Sequence, residues 1–289
     1  MSTPAADTTA QARALVSSDG RRFELLACVP PAARARLLWL PAPGVAARHY
    51  LPLAQALAAR GIAVYLHEWR GNGSSSLRPS RTQDWGCREI LEQDLPASQS
   101  LLAADDAAQG VLPWIIGGHS LGGQLACLHA GRHPTDFQRL WLVASGTPGR
   151  HHFPPPRGWL LPLVYRFLPW LARRQGVLHG RRLGFGDTEA RGLIADWARV
   201  GLSNHYAAAG MADTLDAGMA QVRGHAQAVV LADDWLAPAT SMQGLLAKLP
   251  QVSAHTTVLS AAQLGTRADH FAWMASPQAI AGVLFHSVE

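Results

Sequence analysis

The feature that most constrains the fold is the segment Gly118-His119-Ser120-Leu121-Gly122, which lies between an apolar run and a helical stretch. Residues 113–116 predict a buried strand, and the apolar spacing of residues 124–132 predicts a helix. Glycine permits backbone turns that a side chain would obstruct, and it flanks the serine on both sides. The segment therefore predicts a strand, a tight turn and a helix, with Ser120 raised on the turn.

Short apolar runs alternate with longer helical stretches along most of the chain. Residues 14–16 and 23–29 flank a Ser-Asp-Gly turn and predict a hairpin. Further strands are predicted at residues 36–40, 63–66, 140–144, 228–232 and 254–259. Helices are predicted from residue 52, over 89–107 with Pro96 as a kink or break, over 240–249, and from 277. This alternation is typical of an α/β fold with a mostly parallel central sheet flanked by helices.

The alternation stops between residues 148 and 212. This segment contains three consecutive prolines, clustered arginines and the aromatic residues Trp159, Tyr165, Phe167, Trp170 and Trp197. It predicts a helical insertion, so that residues 1–147 and 213–289 together form one core domain. A chain of 289 residues is long enough to bury such a core without a metal ion or a disulfide.

The net charge of +5 comes from a single region. Between residues 150 and 182 there are seven arginines and no acidic residue, and the rest of the chain sums to 18 minus 20, or −2. A nucleic-acid-binding domain more often spreads its basic residues along a recognition helix or a groove. We therefore expect no nucleic-acid partner.

The chain has three cysteines, Cys28, Cys87 and Cys127, at wide spacings and without a C-x-x-C pair. This pattern argues against a disulfide framework and a structural zinc site, and it predicts a cytoplasmic protein. We expect no metal and no cofactor. Residues 1–11 lack the basic and apolar regions of a signal peptide, so secretion is not expected. The sequence has no uninterrupted run of about 18 apolar residues, so stable membrane insertion is not expected either.

The setting of Ser120 predicts a nucleophile. A serine in a G-x-S-x-G segment between a strand and a helix exposes its hydroxyl on the turn. The backbone N–H groups at the start of the following helix favour negative charge beside it.

With this motif the chain resembles the α/β-hydrolase superfamily, in particular capped members similar to serine aminopeptidases and monoglyceride lipases. The resemblance covers the chain from about Arg36 to the carboxyl terminus. It implies a catalytic triad in the chain order Ser, Asp, His. Asp234 fits the acid, because it follows a predicted strand and stands four residues before Pro238, and Asp233 is the alternative.

Three histidines follow these aspartates. His255 lies inside a predicted strand, and His286 lies in the last predicted helix. His270 lies on the loop between them, where the family carries its base. The resemblance therefore implies that His270 takes the proton from Ser120, while Asp234 orients the imidazole.

The resemblance also implies two backbone donors for an oxyanion. One is the N–H of Leu121, directly after the serine. The other belongs to the loop of residues 40–45, where similarity to the family's H-G-x-G loop puts Pro43 at the donor position. Because proline has no N–H, either Gly44 or another amide donates, or one donor is missing, which typically costs about 10²–10³ in rate.

Together these features predict a serine hydrolase that cleaves an ester, with an amide or a thioester as alternatives, through an acyl-enzyme. The insertion resembles the family's cap, whose aromatic residues would line an apolar channel and whose arginines would recognise an anionic group on a small acyl substrate. Two other functions stay open. One is a cofactor-free acyltransferase or thioesterase with the same triad, and the other is a non-catalytic ligand-binding relative, which Pro43 motivates. Residues 70–75, with the pattern R-G-x-G-x-S, predict a structural loop beside the site.

Overall fold

The computed structural model of the protein describes residues 9–183, 186–212 and 214–287, apart from the side chains of residues 109, 182 and 183. Within these residues the strands are β1 (Gln11–Val16), β2 (Arg22–Cys28), β3 (Ala35–Leu40), β4 (Ile62–Leu66), β5 (Trp114–His119), β6 (Arg139–Val143), β7 (Leu178–His179), β8 (Thr188–Glu189), β9 (Gly224–Leu231) and β10 (Val252–Leu259). The helices are α1 (Leu51–Ala58), α2 (Cys87–Glu89), α3 (Leu95–Gln109), α4 (Leu121–Arg132), α5 (Arg157–Gln175), α6 (Arg191–Ser203), α7 (Leu215–Met219), α8 (Ala239–Leu246), α9 (Ala261–Leu264) and α10 (Gln278–His286). Three parts of the sequence predictions lie outside the described residues. They are the ends of the predicted core domain at residues 1–8 and 288–289, the boundary residue 213, and most of the segment that was considered as a signal peptide.

The described strands form one eight-stranded sheet in the order β1-β2-β4-β3-β5-β6-β9-β10. The β1–β2 and β2–β4 pairs are antiparallel, and every later pair is parallel. Strands β3, β4 and β6 carry nearly continuous apolar side chains, as expected for parallel strands that are covered on both faces. The predicted α/β fold, its mostly parallel sheet and its N-terminal hairpin are confirmed.

The two faces of the sheet have separate apolar cores. Along β3, Leu38 and Leu40 belong to one core, while Leu37 and Trp39 belong to the other, because successive side chains of a strand point to opposite faces. Helices α3 and α4 cover the first face, and α1 and α10 cover the second. This arrangement brings the carboxyl ends of the parallel strands to one edge, where the loops carry the candidate residues.

Two helices differ from the prediction at their starts. Helix α4 begins at Leu121, directly after Ser120 and three residues before its predicted start. The predicted helix over residues 89–107 is divided, because α2 and a π-helical turn at residues 90–94 precede α3. Pro96 lies in the first turn of α3, where the backbone N–H groups have no intrahelical acceptor. It therefore marks the start of a helix.

Between β6 and β9 the chain forms the segment that we call the insertion, residues 148–212. Helices α5 and α6 pack against each other through Leu168, Ala172 and Ile194. The short strands β7 and β8 form an antiparallel pair, which the sequence did not predict. Among the described helices none is long and apolar enough to cross a membrane.

Candidate active site

Ser120 lies on a strained turn between β5 and α4. Its backbone has φ 58° and ψ −127°, a conformation that a residue with a side chain rarely adopts. A Cβ on Gly122 would lie 2.2 Å from the carbonyl oxygen of Leu40, and a Cβ on Gly118 would lie 2.5 Å from the carbonyl carbon of Gly122. Only glycine fits at these two positions, as the sequence pattern predicts.

His270 and Asp234 form a buried hydrogen-bonded pair. His270 Nδ1 lies 2.7 Å from Asp234 Oδ2, and the Asp234 side chain has no exposed surface. The other carboxylate oxygen, Oδ1, accepts the backbone N–H groups of Leu236 at 2.9 Å and Ala237 at 3.1 Å. The side chain of Asp233, the alternative acid, is exposed. The geometry therefore joins His270 to Asp234.

The hydrogen bond to Asp234 determines which imidazole nitrogen is available. Because a carboxylate only accepts, Nδ1 of His270 donates its proton, and Nε2 is the free nitrogen. Ser120 and His270 line the same cavity. The structure thus brings three of the predicted site residues, Ser120, Asp234 and His270, to one end of the sheet.

The cavity that contains Ser120 has a volume of about 450 Å³, within the usual range for small-molecule sites. Most of its wall is apolar and comes from α5, α6 and the loop after β9. Its polar side chains include Gln124, Thr147, Arg157 and Glu189.

The aromatic residues of the insertion divide into two groups. Tyr165, Phe167 and Trp197 line the cavity, as predicted. Trp159 and Trp170 do not line it and are exposed to solvent, so the prediction was wrong for these two. Helix α5 carries apolar residues on opposite sides, and the sequence could not decide which side faces inward.

The loop of residues 40–45 contains a type II turn over residues 42–45. The N–H of Val45 donates to the carbonyl of Ala42 at 3.2 Å, with Pro43 and Gly44 at the central positions and φ +71° at Gly44. Pro43 lines the cavity beside Ser120, and Gly44 lines, with Pro43 and Leu121, a narrow gap that adjoins it. The N–H of Ala42 donates to the hydroxyl of Tyr50 at 2.9 Å. The residue that faces the cavity therefore has no N–H, and the role of Gly44 as a donor stays a prediction.

Leu121 supplies the other predicted donor. It is the first residue of α4, and N–H groups of a first helical turn have no intrahelical acceptor. Leu121 lines the same cavity as Ser120. The helix dipole adds to the attraction of this end for negative charge.

Tyr50 connects the turn to the residue before the nucleophile, a contact that sequence reasoning missed. Because its oxygen accepts the N–H of Ala42, its proton is free to donate to His119 Nδ1, 2.8 Å away. The His119 ring is fully buried, and its centroid lies 4.7 Å from that of His270. Burial lowers the pKa of His119 well below its ordinary value, so a neutral ring packs against His270.

Glu189 is a second residue that the sequence did not single out. It is buried, it lines the cavity, and it lies with Pro43 and Leu121 around a narrow adjoining gap. Its Oε1 accepts the N–H of Asp187 at 3.1 Å. Burial raises the pKa of Glu189, and among the described residues no basic side chain pairs with it.

The R-G-x-G-x-S loop is held by its arginine. Arg70 Nε and Nη2 donate to the two oxygens of Asp94 at 2.7 and 2.8 Å, and Arg70 Nη1 donates to Asp19 at 2.7 Å. These contacts agree with the predicted structural role of this loop. Within the described part of the chain, no group of three or more His, Cys, Asp or Glu side chains is arranged to hold a metal ion.

Solved structures with the same architecture cover almost the whole chain. A hydrolase from Pseudomonas aeruginosa PA01 has a TM-score of 0.64 at 16% identity, over 96% of this chain and 98% of the other. A carboxylesterase from Nitrososphaera gargenis has a TM-score of 0.60 at 15% identity, over 96% and 97%. An esterase from Pyrococcus furiosus has a TM-score of 0.57 at 14% identity, over 97% and 89%. The protein therefore has the α/β-hydrolase fold.

The family follows from the sequence. Residues 32–231, more than half of the chain, match the model of the serine aminopeptidase family S33. The chain belongs to this family, and it is a hydrolase of the α/β type. Comparison with curated proteins gives no match.

Proposed function

We propose that the protein is a serine hydrolase that cleaves a carboxylic ester through a triad of Ser120, His270 and Asp234. The observation that carries the proposal is the buried 2.7 Å bond between His270 Nδ1 and Asp234, with His270 on the same cavity as Ser120. Amides and thioesters follow the same chemistry. The ester is preferred because two similar structures are those of a carboxylesterase and an esterase.

The reaction begins when Ser120 Oγ attacks the carbonyl carbon of the ester, while His270 Nε2 accepts the hydroxyl proton. Asp234 stabilises the imidazolium and keeps the ring in its orientation. As the tetrahedral intermediate collapses, His270 returns the proton to the leaving alcohol, and the acyl group stays on Ser120. A water molecule, activated by His270, then releases the acid and restores the hydroxyl.

The negative oxygen of the tetrahedral intermediate is stabilised by hydrogen-bond donors that are already positioned around it. The N–H of Leu121 is the first donor, and Pro43 offers none. Gly44 is the candidate for the second donor. If Gly44 does not donate, the missing donor costs roughly 10²–10³ in rate, and we then expect a working but slow enzyme.

The insertion acts as a cap over Ser120 in this proposal, and its apolar wall selects the acyl chain. Arg157 lines the cavity, and its guanidinium carbon lies 5.3 Å from the centre of the Trp235 ring. This position suits a substrate with an anionic group near the cavity mouth. The free, buried cysteines fit a cytoplasmic location.

The test is hydrolysis of p-nitrophenyl esters from acetate to palmitate by the native protein, the Ser120→Ala variant and the Asp233→Asn variant. We expect the Ser120→Ala variant to lose activity and the Asp233→Asn variant to keep it. The preferred acyl chain length shows how long a chain the cavity accommodates. Labelling by a fluorophosphonate should occur in the native protein and not in Ser120→Ala. If the native protein neither turns over any ester nor labels, the hydrolase proposal fails and a ligand-binding role, consistent with Pro43, replaces it.

Acyl transfer is the second candidate, because Arg157 at the cavity could hold an anionic acceptor such as coenzyme A. Analysis of the products decides between the two. Free acid as the main product supports hydrolysis, and an acyl thioester or a new ester formed from an added acceptor supports transfer.

A further inference from the structure

Helix α5 has an apolar face that no described part of the protein covers. This outer face consists of five residues with large exposed fractions: Trp159 72%, Leu160 55%, Leu163 65%, Phe167 50% and Trp170 50%. Residues three or four positions apart share one side of a helix, so these side chains form a continuous strip. Tyr165, Leu168 and Ala172 are buried on the opposite side of the same helix. A helix at a protein surface usually turns a polar face to water, whereas this exposed side of α5 is mainly apolar.

Arginines border the outer face, and none of them has an acidic partner among the described residues. Arg157, Arg166, Arg173 and Arg174 are exposed, and none of the four forms an ion pair with a described residue. The sequence has no acidic residue between positions 150 and 182, so the field around α5 is positive. An apolar strip with arginines at its edges is typical of helices that lie in a membrane interface.

The outer face continues into the cavity of Ser120. Val164 and Phe167 line that cavity, and together with Leu163, Arg166, Trp170 and Arg173 they line an open depression on the outside of α5. Trp235, which is also exposed, lines the same cavity. An apolar molecule could therefore pass from the outer face to Ser120 along apolar side chains.

We propose that the outer face of α5 docks on a bilayer that contains anionic phospholipid. In this arrangement the apolar strip lies at the boundary of headgroups and acyl chains, and the arginines pair with lipid phosphates. The contact is peripheral, since α5 is too polar to cross a bilayer. An extension of this proposal, which rests on the proposed hydrolase function, is that the substrates are apolar esters dissolved in the lipid.

A second copy of the chain is a poorer occupant of this face. In a two-fold dimer the same patch meets itself, so the unpaired arginines of one copy would face those of the other. Like charges in an interface cost several kcal/mol. An anionic lipid surface supplies the opposite charge and an apolar phase together.

The test is co-sedimentation of the Ser120→Ala protein with vesicles of phosphatidylcholine and phosphatidylglycerol, beside vesicles of phosphatidylcholine alone. We expect binding to the anionic vesicles that weakens with added salt. The Arg166→Gln/Arg173→Gln variant should bind roughly 30-fold more weakly, because each arginine near such a surface contributes about fivefold. The Trp159→Ser/Leu163→Ser variant should lose binding as well.

Two variants serve as matched controls, Val111→Ser for an exposed apolar side chain and Arg223→Gln for an exposed charge. Both should bind vesicles like the parent. Equal loss in the controls, or no binding to anionic vesicles at any salt concentration, overturns the proposal. The proposal is also overturned if analytical ultracentrifugation shows a dimer that is absent in the Trp159→Ser/Leu163→Ser variant. Tighter binding of an acidic peptide than of lipid at α5 would overturn it as well.

The binding assay does not depend on catalysis, so the two proposals can fail separately. A protein that binds vesicles and hydrolyses no ester keeps the docking surface and loses the proposed function. The lipid-substrate extension predicts faster hydrolysis of a long-chain ester in anionic vesicles than in neutral ones by the native protein. The Trp159→Ser/Leu163→Ser variant should lose this difference and still hydrolyse p-nitrophenyl acetate in water, and equal rates in both vesicles would refute the extension.

Discussion

Two arginines of the core and two of the insertion differ in their burial and in their ion pairs. In the core, Arg21 and Arg70 are buried and share the carboxylate of Asp94, with Arg21 Nη1 3.0 Å from Asp94 Oδ1. In the insertion, Arg166 and Arg173 are exposed and have no acidic partner among the described residues. A buried charge needs a partner to offset its lost hydration, whereas an exposed one is hydrated by water. The buried arginines of the core therefore hold a loop beside the site, and the exposed arginines of the insertion make the electrostatic potential of its surface positive.

The comparison extends to other polar groups. In the core, Asp234 accepts three hydrogen bonds, and its neighbours are arranged around it. In the insertion, Glu189 is buried with a single backbone donor. Asp234 in the core thus has more hydrogen-bond donors than Glu189 in the insertion, and we expect mutations at these two buried acids to act differently.

The largest effect is expected where a core pair takes part in the proposed chemistry. Asp234→Asn keeps the shape of the side chain but replaces an acceptor of the His270 N–H by an amide, so kcat should fall by roughly 10⁴ while the protein stays folded. Steady-state kinetics with a p-nitrophenyl ester measure it, and Asp233→Asn is the control. An Asp234→Asn enzyme within tenfold of the native rate would rule out this triad.

The buried ion network should dominate stability. Asp94→Asn leaves Arg21 and Arg70 without their shared carboxylate, and breaking a buried pair in this way costs roughly 3–5 kcal/mol. Glu92→Gln, which weakens a partly exposed 3.8 Å pair with Arg132, should cost less than about 1 kcal/mol. Urea unfolding of the three proteins measures the difference, and equal midpoints for the two variants would contradict it.

The core has no N–H at the predicted donor position, Pro43. Replacing Pro43 by Met supplies an N–H at the cavity, so kcat should rise by roughly 10² without a matching change in KM. The gain should disappear in the Ser120→Ala background. An unchanged kcat would show that another group, such as the amide of Gly44, already completes the oxyanion site.

The unpaired acid of the insertion should give a pH-dependent effect. Because burial raises the pKa of Glu189 above its ordinary 4.5, the folded state holds a proton that the unfolded state releases. The stability contributed by the neutral acid is complete below pH 4.5 and is lost as the pH rises through the folded pKa. Glu189→Gln should therefore match the native protein in acid and exceed its melting temperature near neutral pH. A constant difference in melting temperature across that range would contradict this assignment.

The smallest effect is expected for the exposed arginines. Arg166→Gln/Arg173→Gln should change the free energy of unfolding by less than about 0.5 kcal/mol, because neither side chain forms an ion pair with a described residue. Thermal unfolding in the absence of lipid measures it. A larger loss would mean that these side chains stabilise the insertion itself.

Much of the fold could be predicted because its signals are local. The apolar runs of β3 to β6, the glycines around Ser120 and the order of Ser120, Asp234 and His270 are all visible in the sequence. The Tyr50–His119 hydrogen bond could not be predicted, because it depends on how the segment after β3 packs against the end of β5, 69 residues further along the chain. The orientation of α5 was equally hidden, because its apolar residues occupy two sides and only the tertiary packing decides which one is buried.

A close backbone contact at Gly44 joins the core to the insertion. A Cβ on Gly44 would lie 2.1 Å from the backbone nitrogen of Asp187 and 2.3 Å from the carbonyl carbon of Gly186. Gly44 and Gly186 both have positive φ, so each is constrained by its own backbone as well as by the other chain segment. A side chain at residue 44 therefore requires the backbone at residues 186 and 187 to move. A larger residue at position 44 should displace this segment of the insertion.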